Sequence, residues 1–598
     1  MAAPLLILAM LLLILAAGKY ELHSTMPLAF FLTYKGLPPP SSQQQQPFSS
    51  PWPSPAPPLS KETQILELLR INGSAACHHV HTHRALTVDL PENCSESKLL
   101  RLHIGHPFSF RLVSVSENGT QRCTGGDFYE TQLAGTHWMS RPPVVDMGDG
   151  TYSVTIFVDE YFPGMYEFKA VLLFDNMHGL DFDPRKWGLR KEVLYLQVEM
   201  MGLPAIPHMP YDMPYWSAKP ESVLTRETGQ MEIARLASGL QHRNICGDAG
   251  GGDGTGRWTR MWYNHSCEAD KEGRYNGCLN EKHAGKVSLL ESNGWIYSRS
   301  TCSFMIWDKK QAWQCLQGRW LLFWGDSNLQ DSISNLLFFI LGFPKRPRMG
   351  RILHKLYTNP LNSSQSLLIS LLFNGHYDES KNGRGLASLY NASYCLRLRR
   401  LYLSGCNNSF GPDAVIITSG LHDAEHFRTV RDFSAAVDFA ADFWRRLIYE
   451  GADAEKTNAS KGRLSPTVVL RTAVAPAGGA RTKDKQANPH KMEVFNAIMV
   501  EKFSRELGRQ GVVVHVLDAY DATFPFHFDH NHSDGLHYGR EPKSQLSPWF
   551  GRPHHYFVDN MLNHMLLNCL CSHFPPRKAE FLNNNMATES SNSPSSLT

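Results

Sequence analysis

The sequence predicts a C-terminal α/β domain, a three-layer arrangement on a doubly wound parallel sheet, preceded by a β-sandwich. Three observations predict it. Between residues 84 and 200, short β-branched and aromatic runs follow one another with Gly, Pro and Asp between them. From residue 319 onward, four continuous apolar runs alternate with helical patterns. Residues 201–318, which separate the two textures, are rich in Gly, Trp and Cys and show little periodicity. At 598 residues the chain exceeds one ordinary domain, since domains cluster at roughly 100–200 residues.

The elements follow in order. Leu5 to Ala17 is an apolar run of 13 residues with small residues after it. It fits the core of a signal peptide spanning residues 1–18 and is short of the roughly 20 residues that span a bilayer. No Lys or Arg precedes it, so a retained signal anchor stays open. Either reading sends the chain into the secretory pathway, to the Golgi lumen or outside the cell. Residues 19–61 are a linker, and from 36 they are dominated by Pro, Ser and Gln, which cannot bury enough surface to fold. The sandwich is placed at 62–200, with strands over "ALTVDL", 108–115, 151–158, 164–174 and 193–200. These runs alternate in part and are bounded by turn residues. The lead-in, 201–318, carries Cys246, Cys267, Cys278, Cys302 and Cys315 and is expected to be stapled over the next domain by disulfides. Cys395 and Cys406 are the expected local pair.

Residues 319–574 form the α/β domain. Its buried strands are read at 320–324, 414–418, 467–472 and 512–517, because continuous apolar runs suit parallel strands covered on both faces. Leu329, Ile333, Leu336, Leu337, Ile340 and Leu341 share one helical face, as do Met492, Phe495, Met499, Phe503 and Leu507 on a second helix. A third helix is read over 432–448. Residues 575–598 are a polar tail.

Composition excludes some functions. The net charge of +3 forms no basic stripe, so neither nucleic acid nor an anionic membrane is a predicted partner; membrane contact is expected only through the N-terminal segment. Twelve cysteines and the sequons at Asn72, Asn93, Asn118, Asn264, Asn362, Asn391, Asn407, Asn458 and Asn531 suit a disulfide-bonded glycoprotein of an oxidising compartment. "AGGGDGTGRW" lacks the Lys-Ser/Thr of a phosphate loop, so nucleotide binding there is rejected.

The chemistry centres on "RWLLFWGDSNLQDSIS" (319–334). Gly325-Asp326-Ser327 ends an apolar strand and opens an amphipathic helix. Ser and Asp there can simply cap the helix. A helix N-terminus also offers N–H groups to an oxyanion, and a serine hydroxyl becomes a nucleophile when a base takes its proton. The base and its orienting carboxylate are found in "NHSDGLHYGR" (531–540), as His537 and Asp534 after the last strand. The neighbouring "FPFHFDHNH" invites a metal reading, but a metal hydrolase has no need of the Gly-Asp-Ser turn, and no metal site is expected.

Gly-Asp-Ser after a first strand with a late Asp-x-x-His resembles the SGNH (GDSL-type) hydrolases. More closely, "CLQGRWLLFWGDSNLQD" resembles the PC-esterase domains of polysaccharide and sialic acid O-acetyltransferases and of the neurexophilin and PC-esterase domain family. "DMGDGTYSVTIFVDEYFPGMYEFKAVLLF" (146–174) resembles filamin-type Ig-like repeats. The resemblance implies an SGNH-like α/β domain after an Ig-like sandwich, with Ser327 as nucleophile, His537 as base and Asp534 as its orienter. It also implies oxyanion donors from two intervening blocks. Asn374, Gly375 and Gly420 are the residues expected there, while His422 stands where such enzymes carry Asn.

The expected function is serine-dependent acyl transfer on a glycan or polysaccharide, as an O-acetyltransferase or, if water accepts the acyl group, an esterase. No cofactor is expected; an acyl donor such as acetyl-CoA is compatible, although no motif for it is seen. The alternative is a non-catalytic, neurexophilin-like binding protein whose sandwich does the work. The intact Ser, His and Asp positions argue against it.

Overall fold

The computed structural model describes residues 63–66, 82, 84–91, 99–182, 191–202, 246, 256–260, 285–299, 302–374, 384–404, 411–453, 465–477, 486–529, 532–540, 556–572 and 574. The chain divides into Met1–Ser49, which lies outside them, and Ser50–Thr598, which holds every element below.

The N-terminal half folds as two sheets. Strands β1 (Arg84–Val88), β3 (Phe108–Val115), β6 (Val144–Asp146) and β7 (Thr151–Ile156) form one, in the order β1-β3-β7-β6. Strands β2 (Leu99–His103), β4 (Phe128–Gly135), β5 (Trp138–Ser140), β8 (Gly164–Phe174) and β9 (Lys191–Met201) belong to the other. Alternate side chains of both sheets meet in one core, among them Phe110, Leu112, Val154, Phe168 and Val198.

The lead-in is not merely a stapled loop. Gly256–Arg260 (β10) and Trp295–Arg299 (β11) are antiparallel strands, and β10 pairs with β5, so the second sheet has seven strands. The side chain of Trp258 points elsewhere: its Nε1 donates to Ala522 O at 2.8 Å, and its ring meets Phe526 and Phe557. One strand thus serves the β-sheet with its backbone and the α/β core with its side chain. Disulfides Cys246–Cys302 and Cys315–Cys571 fasten this region and the last helix. Cys395 is a free thiol whose Sγ donates to Leu389 O at 2.9 Å, which corrects the expected pairing with Cys406.

The second half is a mixed α/β domain. Strands β12 (Arg319–Gly325), β13 (Ile352–Asn359), β14 (Asn362–Phe373), β15 (Ala414–Ile417), β16 (Thr467–Arg471) and β17 (Val514–Leu517) run in the order β13-β14-β12-β15-β16-β17. The last five in that order are mutually parallel, and β13 is an antiparallel edge strand. The β13–β14 hairpin is absent from the sequence reading. The order reverses at β12, between β14 and β15. In open α/β sheets such a switch opens a crevice at the strands' carboxyl ends. Helix α1 (Ser327–Asn335) contacts the last helix, α4 (Phe557–Cys571), while α2 (Val430–Asp453) packs on α3 (Pro489–Gly508) with Phe433 and Phe495 stacked at 3.7 Å.

The two halves meet across α3. The His490 imidazole is buried and stacked on Phe128 at 4.6 Å. Burial, with Lys491 beside it, pushes it down to about 3, and burial does the same to His564 in α4. The unfolded chain takes up these protons near an ordinary histidine value of about 6.5. Stability present above that pH is therefore lost as pH falls toward 3, by up to about 1.4 kcal/mol per pH unit for each histidine. A urea midpoint series from pH 7 to 4 should show this decline, and His490→Gln should flatten it.

Candidate active site

Every residue of β12 is buried, and the strand stops at Gly325. Its φ is not positive; close approach explains the glycine. A Cβ there would fall 2.3 Å from Thr418 Cγ2 and 2.4 Å from Leu329 Cδ1. Asp326, extended at φ −94°, is the N-cap of α1, and its Oδ1 accepts from the N–H of Asn328 at 2.9 Å. Ser327 is the first helical residue. Capping therefore falls to the aspartate, and the serine hydroxyl is released from it.

That hydroxyl lies 2.8 Å from His537 Nε2. Nδ1 of the same ring lies 3.0 and 3.1 Å from Asp534 Oδ2 and Oδ1. A carboxylate only accepts, so the geometry assigns the Nδ1–H tautomer and leaves Nε2 to accept from Ser327. Asp534 Oδ1 also accepts from the N–H groups of Leu536 and His537, at 2.9 and 2.8 Å. Burial alone would raise this carboxyl, but the His537 imidazole beside it, its hydrogen bond, the Leu536 N–H and Arg540 hold it well below the usual carboxylate range. It stays charged wherever the imidazole is to be oriented.

The loop is shaped by Gly535, at φ +100°, in the left-handed region that disfavours side chains. Its N–H donates to Ser533 Oγ at 2.8 Å, and its carbonyl accepts from Ala477 N–H at 2.7 Å. The Tyr538 hydroxyl donates to Ala475 O at 2.6 Å. Ala475 and Ala477 follow β16, so the loop is pinned to the carboxyl end of the sheet.

Two further strand ends complete the surroundings. Asn374, after β14, donates its N–H to Gly325 O at 2.9 Å, and Thr418, after β15, donates its N–H to Trp324 O at 3.0 Å. The Asn374 side chain differs from expectation. Its Nδ2 donates to Thr418 O and to Ser419 Oγ, both at 2.9 Å, and its buried Oδ1 accepts nothing. The amide cannot turn over without setting Oδ1 against the Thr418 carbonyl. Asn374 therefore ties strand ends together, with its side-chain N–H groups engaged by Thr418 and Ser419. Gly420 stands at φ +148° at the start of a short helical turn, Leu421–His426, and its N–H donates to Asp423. Gly375 lies outside the described residues. The donor placed at the serine itself is the Ser327 N–H, at the first turn of α1.

His422 is half-buried, with its ring 5.6 Å from that of Phe373. Sequence reasoning missed Asp423 behind it. This fully buried carboxylate accepts from Ser419 Oγ and from the Leu386 N–H at 2.7 Å. Burial raises it to about 6 against those hydrogen bonds. Of the described histidines just upstream of this loop, His527 lies against Phe524 O and Glu130, and His532 against Asp529. Among the described residues, no three of His, Cys, Asp and Glu are grouped to hold a metal.

No family model matches the chain, and comparison with curated proteins finds no match. Among solved structures, the chain is similar to Est24, a carbohydrate acetylesterase from Sinorhizobium meliloti, at 13% identity and a TM-score of 0.22, over 43% of this chain and 100% of that one. It is also similar to a cycloisomaltooligosaccharide glucanotransferase from Paenibacillus sp., at 9% identity and a TM-score of 0.12, over 73% of this chain and 53% of that one. Likenesses this remote leave the reading of the site to its own geometry.

Gly325→Ala should destabilise the protein by about 1–3 kcal/mol, because Thr418 and Leu329 must both give way to the new methyl. Urea denaturation of the pair of proteins measures it.

Proposed function

We propose that the protein is a serine acyltransferase or esterase acting on O-acyl groups of glycans, with an acyl-Ser327 intermediate. The observation that carries this is the unbroken chain Ser327 Oγ, His537 Nε2, His537 Nδ1, Asp534 at hydrogen-bond distances. Each link has one chemical direction. His537 Nε2 takes the Ser327 proton as Oγ attacks the acyl carbonyl. Asp534 stabilises the imidazolium that forms and keeps the ring in its tautomer. The tetrahedral oxyanion is met by the Ser327 N–H, with the positive end of α1 behind it. The intermediate collapses, His537 returns its proton to the leaving alcohol or thiol, and an acyl-serine remains. A sugar hydroxyl or water, deprotonated by the same histidine, then takes the acyl group.

The resemblance to SGNH and PC-esterase domains supports this reading and favours a glycan as acyl acceptor, with an acyl donor such as acetyl-CoA for the transferase. The same resemblance makes the N-terminal sheets an Ig-like, filamin-type sandwich. The secretory pathway, Golgi lumen or extracellular, is the proposed location: the N-terminal apolar run, the disulfides and the exposed sequons Asn118, Asn362 and Asn391 all suit it. The non-catalytic alternative gives no reason for a capping aspartate to leave the next serine free for an imidazole.

Hydrolysis of 4-nitrophenyl acetate tests the chemistry without knowledge of the glycan. Ser327→Ala and His537→Ala should each abolish it, and Asp534→Asn should lower kcat by about 10^4-fold, as loss of the correct tautomer does in such triads. All three should remain folded by circular dichroism. Undiminished turnover by Ser327→Ala would refute the mechanism.

A further inference from the structure

The helix that carries Ser327 also grips the loop that carries His537. Asn328 Nδ2 donates to Leu536 O at 3.2 Å, on one side of His537. Asn335 Nδ2 donates to Gly539 O at 3.0 Å, on the other side. Asn328 and Asn335 are seven residues apart, two helical turns, and so share one face of α1.

The second grip is reinforced from outside the helix. Arg346, in the segment between α1 and β13, donates Nη2 to the same Gly539 carbonyl at 2.6 Å and Nε to Asn335 Oδ1 at 2.7 Å. The Asn335 amide nitrogen also donates to Asp559 Oδ2 at 2.7 Å. Asp559, buried in α4, accepts through Oδ1 from Ser332 Oγ, which takes a hydrogen bond from Arg471 Nη1 at 2.7 Å. The fit at Gly539 is close: a Cβ there would fall 2.6 Å from Asp559 Oδ2 and 2.7 Å from Asn335 Nδ2. Asp559 is thus a fixed point to which both reacting partners are referred, the serine through Ser332 and Asn335, and the histidine through Asn335 and Gly539.

We propose that Asn335 and Arg346 are positioning residues that set the distance between Ser327 Oγ and His537 Nε2. The inference rests on the acyl-serine reading above. It differs from a bland structural role because Arg346 is half-buried, meeting the loop at the Gly539 carbonyl with Asp331 3.7 Å away and the Tyr556 ring 5.7 Å from its guanidinium, so its loss should relax the loop without opening the core. Misplacement by about 1 Å can cost about 100-fold in rate, while a small ester that binds by its acyl group alone should keep its affinity.

The test measures kcat and KM for 4-nitrophenyl acetate in Arg346→Ala, Arg346→Lys and, as a control, Arg348→Ala, an exposed arginine of the same segment. Thermal melts are recorded on each. Arg346→Ala should lose about 10- to 100-fold in kcat with KM within about twofold. Added guanidinium ion should restore part of the rate by refilling the vacated donor position, Arg346→Lys should fall between, and Arg348→Ala should match the wild type. Asn328→Ala, which removes the first grip alone, should also lower kcat. The inference is overturned if Arg346→Ala keeps its kcat, if only KM changes, or if the loss tracks the unfolded fraction and guanidinium restores nothing. A wild-type protein inert toward the ester while folded overturns the acyl-serine reading itself, and the inference with it.

Discussion

Everything proposed for this protein depends on one hydrogen bond, 2.8 Å long, between Ser327 Oγ and His537 Nε2. The two residues are 210 positions apart in the chain, so no local preference brings them together. Their meeting is a property of the sheet. β12 delivers Ser327 to the point where strand order reverses, and the end of β16 holds the loop that follows β17. The parallel strands supply two ends at one level, and the loop hydrogen bonds convert that proximity into a fixed distance.

A division of labour at the start of α1 makes the serine usable. Serine and aspartate are both good N-caps, and a capping serine would have its hydroxyl turned toward its own helix. Asp326 takes that task, so Ser327 enters the helix as its first residue, with its N–H at the positive end and its hydroxyl toward the imidazole. Gly325 permits this because Thr418 and Leu329 occupy the space a side chain would need. A similar economy runs through Asp534, which satisfies two backbone N–H groups and the imidazole with one carboxylate.

The sequence made the framework legible where one physical force decides the structure. Burial on both faces forces continuous apolar runs, and β12, β15, β16 and β17 are found where those runs stand. β3 and β8 have the expected bounds, because their alternation and their flanking turn residues agree. The misses share a different cause. β10, "GRWTR", carries two arginines and reads as loop; one of them, Arg257, is buried against Asp159 and Trp138, partners far away in sequence. β14 begins with the polar run "NSSQS", which hides the strand although Asn359-Pro360 marks a turn before it. The direction of the Asn374 amide is dictated by Thr418 and Ser419 on the neighbouring strand end, contacts that the sequence does not display. Cys395 stays a thiol with its Sγ turned to the Leu389 carbonyl, because sequence nearness to another cysteine does not by itself make a disulfide. Within the candidate site, the sequence singles out Ser327, Asp534 and His537 by spacing and strand position, and the fold brings their side chains within hydrogen-bond distance, whereas Asp326, Asn328, Asp423 and Asp559 act through contacts that only the fold creates.

In the proposed mechanism Ser327 carries the acyl group in mid-reaction. Rapid acid quenching of the purified protein during turnover of 4-nitrophenyl acetate, followed by peptide mass spectrometry, addresses it directly. The prediction is an acetyl group on the peptide containing Ser327, formed in a burst and absent from His537→Ala. Turnover at the wild-type rate with that peptide unmodified, or an acetyl group carried on another residue, would contradict it.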